Sequence, residues 1–258
     1  MSKLYASARI WRAHNLSSHD GVVIGSDQSQ EWMLPWWWMN FQRFNKLPVS
    51  FVDFGMSPEM RNWCEARGEL IRLRVANIFV SSEEELSPEI ARDWRENFGI
   101  YCLESRNAWF KKPLACLQSP YRRSIWLDLD CEIRCPLTPL FDLLGSQGLG
   151  IAKDQATPIP GLYNSGVLVF QHGLPIFEAW ADGAFEQNHL FPGDQDLLSH
   201  LIEKEGCPIV ELPPHYNWSR LNEPTPEARI VHWHGPPGKM VIQQQLTNAM
   251  LEENFRGA

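Results

Sequence analysis

Short apolar runs that alternate with helix-like stretches constrain the fold of this chain more than any other feature. Three of these runs are apolar at nearly every position: GVVIG at 21–25, VSFVDF at 49–54 and SIWLD at 124–128. A strand that is apolar on both faces has to be covered on both faces, as in parallel sheets whose connections are helices. The pattern predicts an α/β fold with a mostly parallel central sheet flanked by helices.

The rest of the chain continues this alternation, without an internal repeat or a linker. Further strands are predicted at 70–75, 149–152, 166–170, 209–212 and 230–233. Helices are predicted at 31–46, 88–97, 106–118, 175–187 and 196–204, and another starts at Ser57-Pro58-Glu59, where a capping hydroxyl precedes a proline and an acid. We therefore expect one domain over residues 1–258, with a lead-in segment at 1–19 and a C-terminal helix at 240–258.

Composition and charge exclude several classes of protein. Hydrophobic residues make up 44% of the chain and charged residues 21%, which is typical of a globular protein. The net charge of −8 argues against a nucleic-acid partner, because contact with a phosphate backbone needs a basic surface. We recognise no signal peptide and no run that could span a bilayer, so we expect a cytoplasmic protein. The six cysteines are expected to be thiols, since Cys131 and Cys135 lack the partner pair of a zinc site.

Two aspartates follow one of the apolar strands, in the sequence Asp128-Leu129-Asp130. An Asp-x-Asp pair is a weak signal by itself, and the chain contains a second one, Asp194-Gln195-Asp196. The first pair emerges from the end of a strand, where ligands bind in open α/β sheets. The second pair opens a helix, where an aspartate cap is a sufficient explanation. The first pair is therefore the better candidate for a functional site.

The chemistry of the first pair indicates a metal ion. Two crowded carboxylates repel each other, which raises the pKa of one of them unless a cation relieves the repulsion. Mg²⁺ and Mn²⁺ prefer carboxylate and phosphate oxygens, so the pair predicts a divalent metal site. A polar loop with solvated acids is the alternative interpretation.

A second candidate segment lies far along the chain, where residues 230–239 read IVHWHGPPGK. It consists of a strand, two histidines and a loop rich in glycine and proline that ends in Lys239. A histidine at a strand end suits Mn²⁺, and a nearby lysine suits a phosphate group. For either histidine alone, a hydrogen-bonded core or loop residue is the competing interpretation.

Small and aromatic residues supply weaker signals. Asn164-Ser165-Gly166 precedes the apolar run VLVF, and it either forms a turn or lets a sugar approach the backbone. The chain has 12 tryptophans, and an indole face can stack on a sugar ring. Most of them are expected in the core. Those singled out as candidate sugar contacts are Trp36, Trp37, Trp38 and Trp233.

Read in order, four segments resemble the successive motifs of GT-A glycosyltransferases, closest to family 8 and its relatives. The segments are RNAWFKKPLACLQSPYRRSIWLDLDCEI, NSGVLVF, GDQDLL and HWHGPPGK. They extend from Arg106 to Lys239, and the first strand, which ends at Asp27, also fits. The resemblance implies a Rossmann-like GT-A domain and a glycosyltransferase of the hexosyltransferase type. Its donor would be a nucleotide-sugar, with a UDP-sugar favoured, and its acceptor would be a glycan, a protein or a small molecule.

The resemblance also implies a metal and diphosphate site. In this family the Asp-x-Asp and a later histidine bind Mn²⁺ (or Mg²⁺), which implies Asp128, Asp130 and His232 as ligands. His232, which precedes Trp233, fits the motif better than His234. The glycine and lysine of the same motif hold the diphosphate. These residues are Gly235 and Lys239.

Further family positions imply contacts with the donor. A basic residue in the helix before the Asp-x-Asp contacts the donor, which implies Lys112, with Lys111 beside it. The aspartate after the first strand contacts the nucleobase or ribose, which implies Asp27. Asn164 matches a position near the donor sugar.

The pair Asp194 and Gln195 matches family positions near the donor sugar and acceptor, and one of these residues is the best candidate for a catalytic or positioning group. The family also implies retention of configuration at the anomeric carbon. One departure concerns the diphosphate motif, which usually reads Gly-x-x-Lys-Pro-Trp. Here one residue is added and Met240 follows the lysine, so the way this loop closes is open.

Two other functions are compatible with the same kind of site. A sugar-1-phosphate nucleotidyltransferase shares this type of fold, but it needs a glycine-rich basic loop after the first strand. The sequence Gly25-Ser26-Asp27-Gln28 is not such a loop. A non-catalytic protein that binds nucleotide-sugars or glycans would keep the pocket without the chemistry.

Overall fold

A seven-stranded sheet runs through the centre of the computed structural model, which describes residues 17–73, 75, 79–98, 101–145, 148–156 and 159–256. In these residues the strands are β1 (Ser17–Ser26), β2 (Val49–Asp53), β3 (Glu69–Arg72), β4 (Tyr121–Leu127), β5 (Cys131–Ile133), β6 (Leu149–Lys153), β7 (Tyr163–Gln171), β8 (Val210–Glu211), β9 (Trp218–Ser219) and β10 (Ile230–His232). The central sheet has the order β3-β2-β1-β4-β7-β6-β8, and β5-β10-β9 form a small second sheet.

The directions of these strands decide which chain segments meet. Strand β1 is parallel to β2 and β4, β2 is parallel to β3, and β6 is parallel to β8. Only β7 breaks this pattern in the central sheet, because it lies antiparallel between β4 and β6. The prediction of a mostly parallel sheet is confirmed. Because β7 runs the other way, its first residues lie beside the carboxyl end of β4.

Helices cover both faces of the sheet, as the apolar strands require. In the described residues they are α1 (Leu34–Gln42), α2 (Pro58–Glu65), α3 (Pro88–Phe98), α4 (Tyr101–Trp109), α5 (Lys112–Leu117), α6 (Thr138–Leu144), α7 (Pro175–Glu186), α8 (Asp194–Glu205) and α9 (Gly235–Arg256). One core lies between the sheet and helices α1 and α6, and another lies between the sheet and helices α5, α7 and α8. Neighbouring strand residues alternate between them: Val22 belongs to the first core and Val23 to the second.

Several predicted boundaries differ from the structure. Strand β1 begins at Ser17, so the last residues of the expected lead-in segment belong to the sheet, while residues 1–16 lie outside the described part. The helix expected at 106–118 is two helices, α4 and α5, separated by Phe110 and Lys111. The C-terminal helix begins at Gly235 rather than at residue 240. The helix start at Ser57 is confirmed, since its Oγ accepts a hydrogen bond from the Met60 backbone N–H at 3.2 Å.

The tryptophans of α1 belong to the core. Trp36 and Trp37 have no exposed surface, and Trp36 Nε1 donates to Gln245 Oε1 at 2.7 Å. The prediction that these two residues contact a sugar is wrong, because neither indole has an exposed face on which a sugar could stack. Burial of each large apolar side chain instead contributes about 1.5 to 3 kcal/mol to the stability of the fold. Trp38 lines a cavity of about 560 Å³ next to Tyr121, at the start of β4 and therefore at the opposite end of that strand from Asp128. Within the described residues, none of the helices has the length and hydropathy needed to cross a membrane.

Candidate metal and donor site

The two aspartates of the Asp128-Leu129-Asp130 motif lie in the turn between β4 and β5. The Asp128 backbone N–H donates to Gly166 O at 2.8 Å, which ties the turn to the start of β7. Trp126 Nε1 donates to Asp128 Oδ1 at 2.7 Å, and this bond orients the carboxylate. The predicted position of both aspartates at the carboxyl end of an apolar strand is confirmed.

His232 reaches the same turn from the other end of the chain. It lies on β10, where it pairs with Cys131 of β5. Its Nε2 lies 3.2 Å from Asp130 Oδ1 and 3.9 Å from Asp128 Oδ2. Gly166 leaves room for the ring, because a Cβ at this position would lie 2.3 Å from His232 Cε1. The glycine of the NSG segment therefore accommodates a histidine.

The charges of His232 and Asp130 stabilise each other. Burial of the ring favours neutral imidazole, but the carboxylates of Asp130 and Asp128 raise the pKa of His232 above its ordinary value. Burial likewise opposes ionisation of Asp130, whereas His232 and Lys239 lower the pKa of that carboxyl to about 2. In contrast, burial and the neighbouring His232 lower the pKa of His234 to about 4. His234 Nε2 faces Ser219 Oγ at 2.8 Å.

The donor atoms of this cluster suit a hard divalent cation. Neighbouring ligand atoms in an octahedral shell with bonds of about 2.1 Å lie about 3 Å apart. The 3.2 Å between His232 Nε2 and Asp130 Oδ1 is close to this value, and Asp128 Oδ2 lies farther from the same nitrogen, at 3.9 Å. Cys131 lies near Asp130 and His232, but burial raises the pKa of its thiol well above the ordinary range. Mg²⁺ and Mn²⁺ prefer oxygen ligands to a thiol, so Asp128, Asp130 and His232 are the candidate ligands, called the metal-binding set below.

Lys112 is a buried cation between two carboxylates. Its Nζ lies 3.0 Å from Asp128 Oδ1, 3.1 Å from Asp194 Oδ2 and 2.9 Å from Ser165 Oγ. Burial disfavours the charged amine, but the two carboxylates outweigh it and raise the pKa of Lys112 above its ordinary value. The predicted donor-binding lysine is therefore located beside the metal-binding set.

The neighbouring lysine points to another part of the sheet edge. Lys111 Nζ donates to Phe54 O at 2.9 Å, just beyond β2, and burial lowers the pKa of this amine. The two adjacent lysines at the start of α5 thus have different partners. Lys111 meets a carbonyl just beyond β2, whereas Lys112 meets the carboxylates of Asp128 and Asp194.

Asp194 does not cap α8. The N-cap residue is Gly193, and Asp194 is the first residue of the helix, with its carboxylate turned inward to Lys112. Its Oδ2 also accepts a hydrogen bond from Ser165 Oγ at 2.8 Å. Burial and the charge of Asp128 raise the pKa of Asp194 despite the contact with Lys112. The helix-cap explanation is wrong for Asp194, and the second Asp-x-Asp motif contributes its first aspartate to the same cluster as the first motif.

Asp196 allows a test of how burial and the charge of Asp194 affect ionisation in this part of α8. Burial and the nearby Asp194 charge raise the pKa of Asp196 from 3.8 to about 6. The folded state therefore holds this proton more tightly, so stability should fall as the pH rises from about 4 to about 7. We expect Asp196→Asn to stabilise the fold by about 2 kcal/mol at neutral pH and by almost nothing near pH 4. Urea unfolding at both pH values measures this, and a variant less stable than the wild type at neutral pH would contradict it.

Asn164 and Gln195 meet at a third acid, Asp154. Asn164 Nδ2 donates to Asp154 Oδ2 at 2.9 Å, and Gln195 Nε2 lies 3.4 Å from the same oxygen. Asp154 directly follows β6, next to the start of β7. The structure thus joins both predicted residues to the edge of the sheet that carries Asp128.

The remaining predicted residues lie around this cluster. Asp27 follows β1, and its Oδ1 accepts bonds from the backbone N–H groups of Ser29 and Gln30 at 3.0 and 3.1 Å. Gly235, with a φ of 76°, is the first residue of α9, so the expected diphosphate loop is the start of a helix. Lys239 lies in the second turn of that helix, where its charge acts on Asp130. Roles for these residues in binding a donor stay predictions.

Comparisons with known proteins give a match in structure only. No protein-family model and no curated protein matches this chain. Galactosyltransferase LgtC, crystallised with donor and acceptor sugar analogues, matches with a TM-score of 0.58 and 16% identity, over 84% of this chain and 87% of LgtC. Glycosyltransferase GlyE of Streptococcus pneumoniae TIGR4 in its apo form has a TM-score of 0.58 and 17% identity, over 85% of this chain and 55% of GlyE. Mouse xyloside xylosyltransferase 1 has a TM-score of 0.52 and 17% identity, over 83% of this chain and 97% of that enzyme.

This chain has the GT-A glycosyltransferase fold. The predicted resemblance is thereby confirmed at the level of the fold. The central sheet, with its one antiparallel strand, is the shared framework on which the polar cluster lies.

Three polar residues of this cluster were not among the predicted site residues. Asp154 follows a predicted strand, and this strand-end position, which singled out Asp128, was a usable signal for Asp154 as well. Ser165, between Asp194 and Lys112, was predicted only as part of a segment that forms a turn or lets a sugar approach the backbone. Asn217, which contacts His232, carries no recognisable signal in the sequence, because it lies in an irregular segment before the two-residue strand β9.

Proposed function

We propose that this protein is a metal-dependent glycosyltransferase that moves a sugar from a UDP-sugar to an acceptor. The observation that carries the proposal is the convergence of Asp128, Asp130 and His232 at the carboxyl edge of the sheet. Ligands bind at this edge in open α/β folds. The shared fold of LgtC, GlyE and the mouse xylosyltransferase supports the same conclusion, since all three are glycosyltransferases by name.

Asp128, Asp130 and His232 would hold a Mn²⁺ or Mg²⁺ ion. When bound, the ion supplies Lewis-acid stabilisation of the charge that develops on the leaving diphosphate. Lys239 adds a second positive charge near Asp130, and the start of α9 adds the positive end of a 22-residue helix. The two prolines after Gly235 lack N–H groups, so Gly235 supplies a free backbone donor in the first turn of α9 and Pro236 and Pro237 supply none.

Gly238 enables this helix start to pack closely. A Cβ at this position would lie 1.9 Å from Trp233 O, so a larger residue would push α9 away from the strand that carries His232. The segment that departs from the family motif is therefore the first turn of α9, which packs against Trp233. Lys239 lies in the next turn of the same helix. This arrangement supports a role for Lys239 in holding the diphosphate.

Asp194 and Gln195 would act on the donor sugar. Asp194 lies 3.1 Å from Lys112, and Gln195 extends toward Asp154 from the adjacent position of the helix. In LgtC, a glutamine-to-glutamate substitution has been described as an active-site mutation. A glutamine beside the carboxylate cluster of this chain agrees with such a role. We assign Asp194 and Gln195 to positioning the sugar and to retention of its configuration.

The proposal is tested by turnover of nucleotide-sugars without an added acceptor. A panel of UDP- and GDP-sugars is incubated with the protein, with Mn²⁺ or with a chelator, and free sugar and nucleoside diphosphate are quantified. We expect slow, metal-dependent release of UDP and free sugar from one donor, because water replaces the acceptor. Release of UMP and sugar-1-phosphate would indicate cleavage within the diphosphate and contradict the proposal. Binding of a donor without any turnover would contradict it in favour of a binding protein.

A further inference from the structure

The contacts of His232 continue into a chain of side-chain hydrogen bonds that leads away from the metal-binding set. His232 Nδ1 lies 3.1 Å from Asn217 Oδ1, and Asn217 Nδ2 lies 2.9 Å from Asn164 Oδ1. Asn164 Nδ2 in turn lies 2.9 Å from Asp154 Oδ2. Asn217 and His232 are buried, so their polar atoms depend on these partners. The chain connects the end of β6, the start of β7, the segment before β9, and β10.

The direction of every bond in this chain follows from one group that can only donate. The backbone N–H of Gly166 donates to the Asn164 side chain at 2.9 Å, so the atom it meets is the oxygen. The Asn164 amide nitrogen therefore faces Asp154, and the oxygen receives its second hydrogen bond from the Asn217 amide nitrogen. This leaves the Asn217 oxygen facing His232, and an oxygen can only accept from the ring.

The ring of His232 is consequently protonated on Nδ1. With the opposite tautomer, a lone pair on Nδ1 would face the lone pairs of Asn217 Oδ1 in a buried setting, and neither group would have a donor. Nε2 faces the carboxylates of Asp130 and Asp128, so without a metal it also holds a proton, and a bound metal ion would take the place of that proton. The atom that bonds to the other ring nitrogen sets which nitrogen of a histidine is available as a ligand.

We infer that Asn217 is a positioning residue that, together with Asn164, holds His232 in the Nδ1–H tautomer and presents Nε2 as a metal ligand. This inference rests on the proposed metal site. It also assigns a second role to Asn164, whose side chain orients Asn217 in addition to any contact with a donor sugar. Residues of three segments thus orient an imidazole that lies on a fourth.

The variants Asn217→Leu and Asn217→Asp separate this role from general packing. Leucine removes both the acceptor for His232 and the donor for Asn164. Aspartate keeps an acceptor for Nδ1, but it loses the bond to Asn164 and adds a negative charge beside the ring. Asn188→Leu is the matched control, because Asn188 is also a buried asparagine but lies far along the chain from His232. Its side chain accepts a hydrogen bond from the Val80 backbone N–H and donates one to Ala184 O.

Two measurements are made on each protein. Nitrogen-15 NMR of the histidine rings near neutral pH, without metal, reports whether Nδ1 carries a proton, and the His232 signals are identified by their loss in His232→Gln. Calorimetric titration with Mn²⁺ reports metal affinity. We expect Nδ1–H for His232 in the wild type, in Asn217→Asp and in Asn188→Leu. Asn217→Leu should lose this preference and bind Mn²⁺ about 10 to 100 times more weakly, as removal of such supporting contacts does in other metal sites.

The outcomes distinguish this inference from the proposed function. An Nε2–H tautomer in the wild type, or an unchanged tautomer in Asn217→Leu, overturns the role of Asn217. So does a loss of metal affinity in Asn188→Leu equal to that in Asn217→Leu. A wild-type protein that shows the Nδ1–H tautomer but binds no Mn²⁺ contradicts the proposed metal site, while the orientation of His232 by Asn217 stands.

Discussion

Lys112→Met is expected to destabilise the fold by about 3 to 5 kcal/mol, the cost of breaking a buried ion pair by removing one partner. Methionine has a similar length but leaves the buried Asp194 and the half-buried Asp128 without their shared cation. Repulsion between these carboxylates should also displace Asp128 from the metal-binding set and abolish sugar transfer. Urea unfolding at neutral pH measures the first effect, and turnover of the donor sugar measures the second.

Lys111→Met is the matched control for this prediction. Lys111 is also buried and adjacent in the sequence, and the hydrogen bond described for it is to a neutral carbonyl, Phe54 O. Removing this amine should cost about 1 to 3 kcal/mol, the penalty for leaving one buried acceptor unsatisfied. The double variant Lys112→Met with Asp194→Asn should recover part of the lost stability, since it removes one of the repelling charges. If Lys112→Met were no less stable than Lys111→Met, the electrostatic role of Lys112 would be wrong.

The second large effect is expected for Asp130→Asn. The amide keeps the shape of the side chain but removes a negative charge from the metal-binding set. We expect affinity for Mn²⁺ and the rate of transfer each to fall by about a hundredfold or more, because the charge stabilisation of the leaving diphosphate depends on that set. Calorimetry measures the affinity, and turnover over a range of Mn²⁺ concentrations measures the rate.

Asp196→Asn provides the matching substitution in the other Asp-x-Asp motif. Asp196 lies in the first turn of α8, and we expect its replacement to leave affinity for Mn²⁺ within about twofold of the wild type, since it is outside the metal-binding set. If Asp130→Asn and Asp196→Asn lost equal affinity for Mn²⁺, both substitutions would act through general damage to the site. Transfer by Asp130→Asn at the wild-type rate with a chelator present would remove the metal from the mechanism altogether.

The histidine segment shows where sequence reasoning reached its limit. The motif resemblance favoured His232 over His234, and the geometry gives the reason. His232 is the last residue of β10 and points to Gly166 and Asp130, whereas His234 lies beyond the strand and faces Ser219. The HGPPGK segment, however, was expected to be a loop. Two prolines and a glycine suggest a turn locally, but prolines are also compatible with the first turn of a helix, and packing against Trp233 decided between the two.

The sequence by itself determined the features that depend on neighbouring residues. Apolar runs specified the strands, the alternation with helices specified a mostly parallel sheet, and the end of β4 located Asp128 and Asp130 at its edge. Only the tertiary structure decided which distant groups form ion pairs and hydrogen bonds in the cluster around these two aspartates. The direction of β7 brings Ser165 to Lys112, the start of α8 turns Asp194 inward rather than into a cap, and Asn217 meets His232. These pairings depend on strand order and on burial, which no local pattern encodes, because the energy of a buried charge is set by whatever partner the fold places beside it.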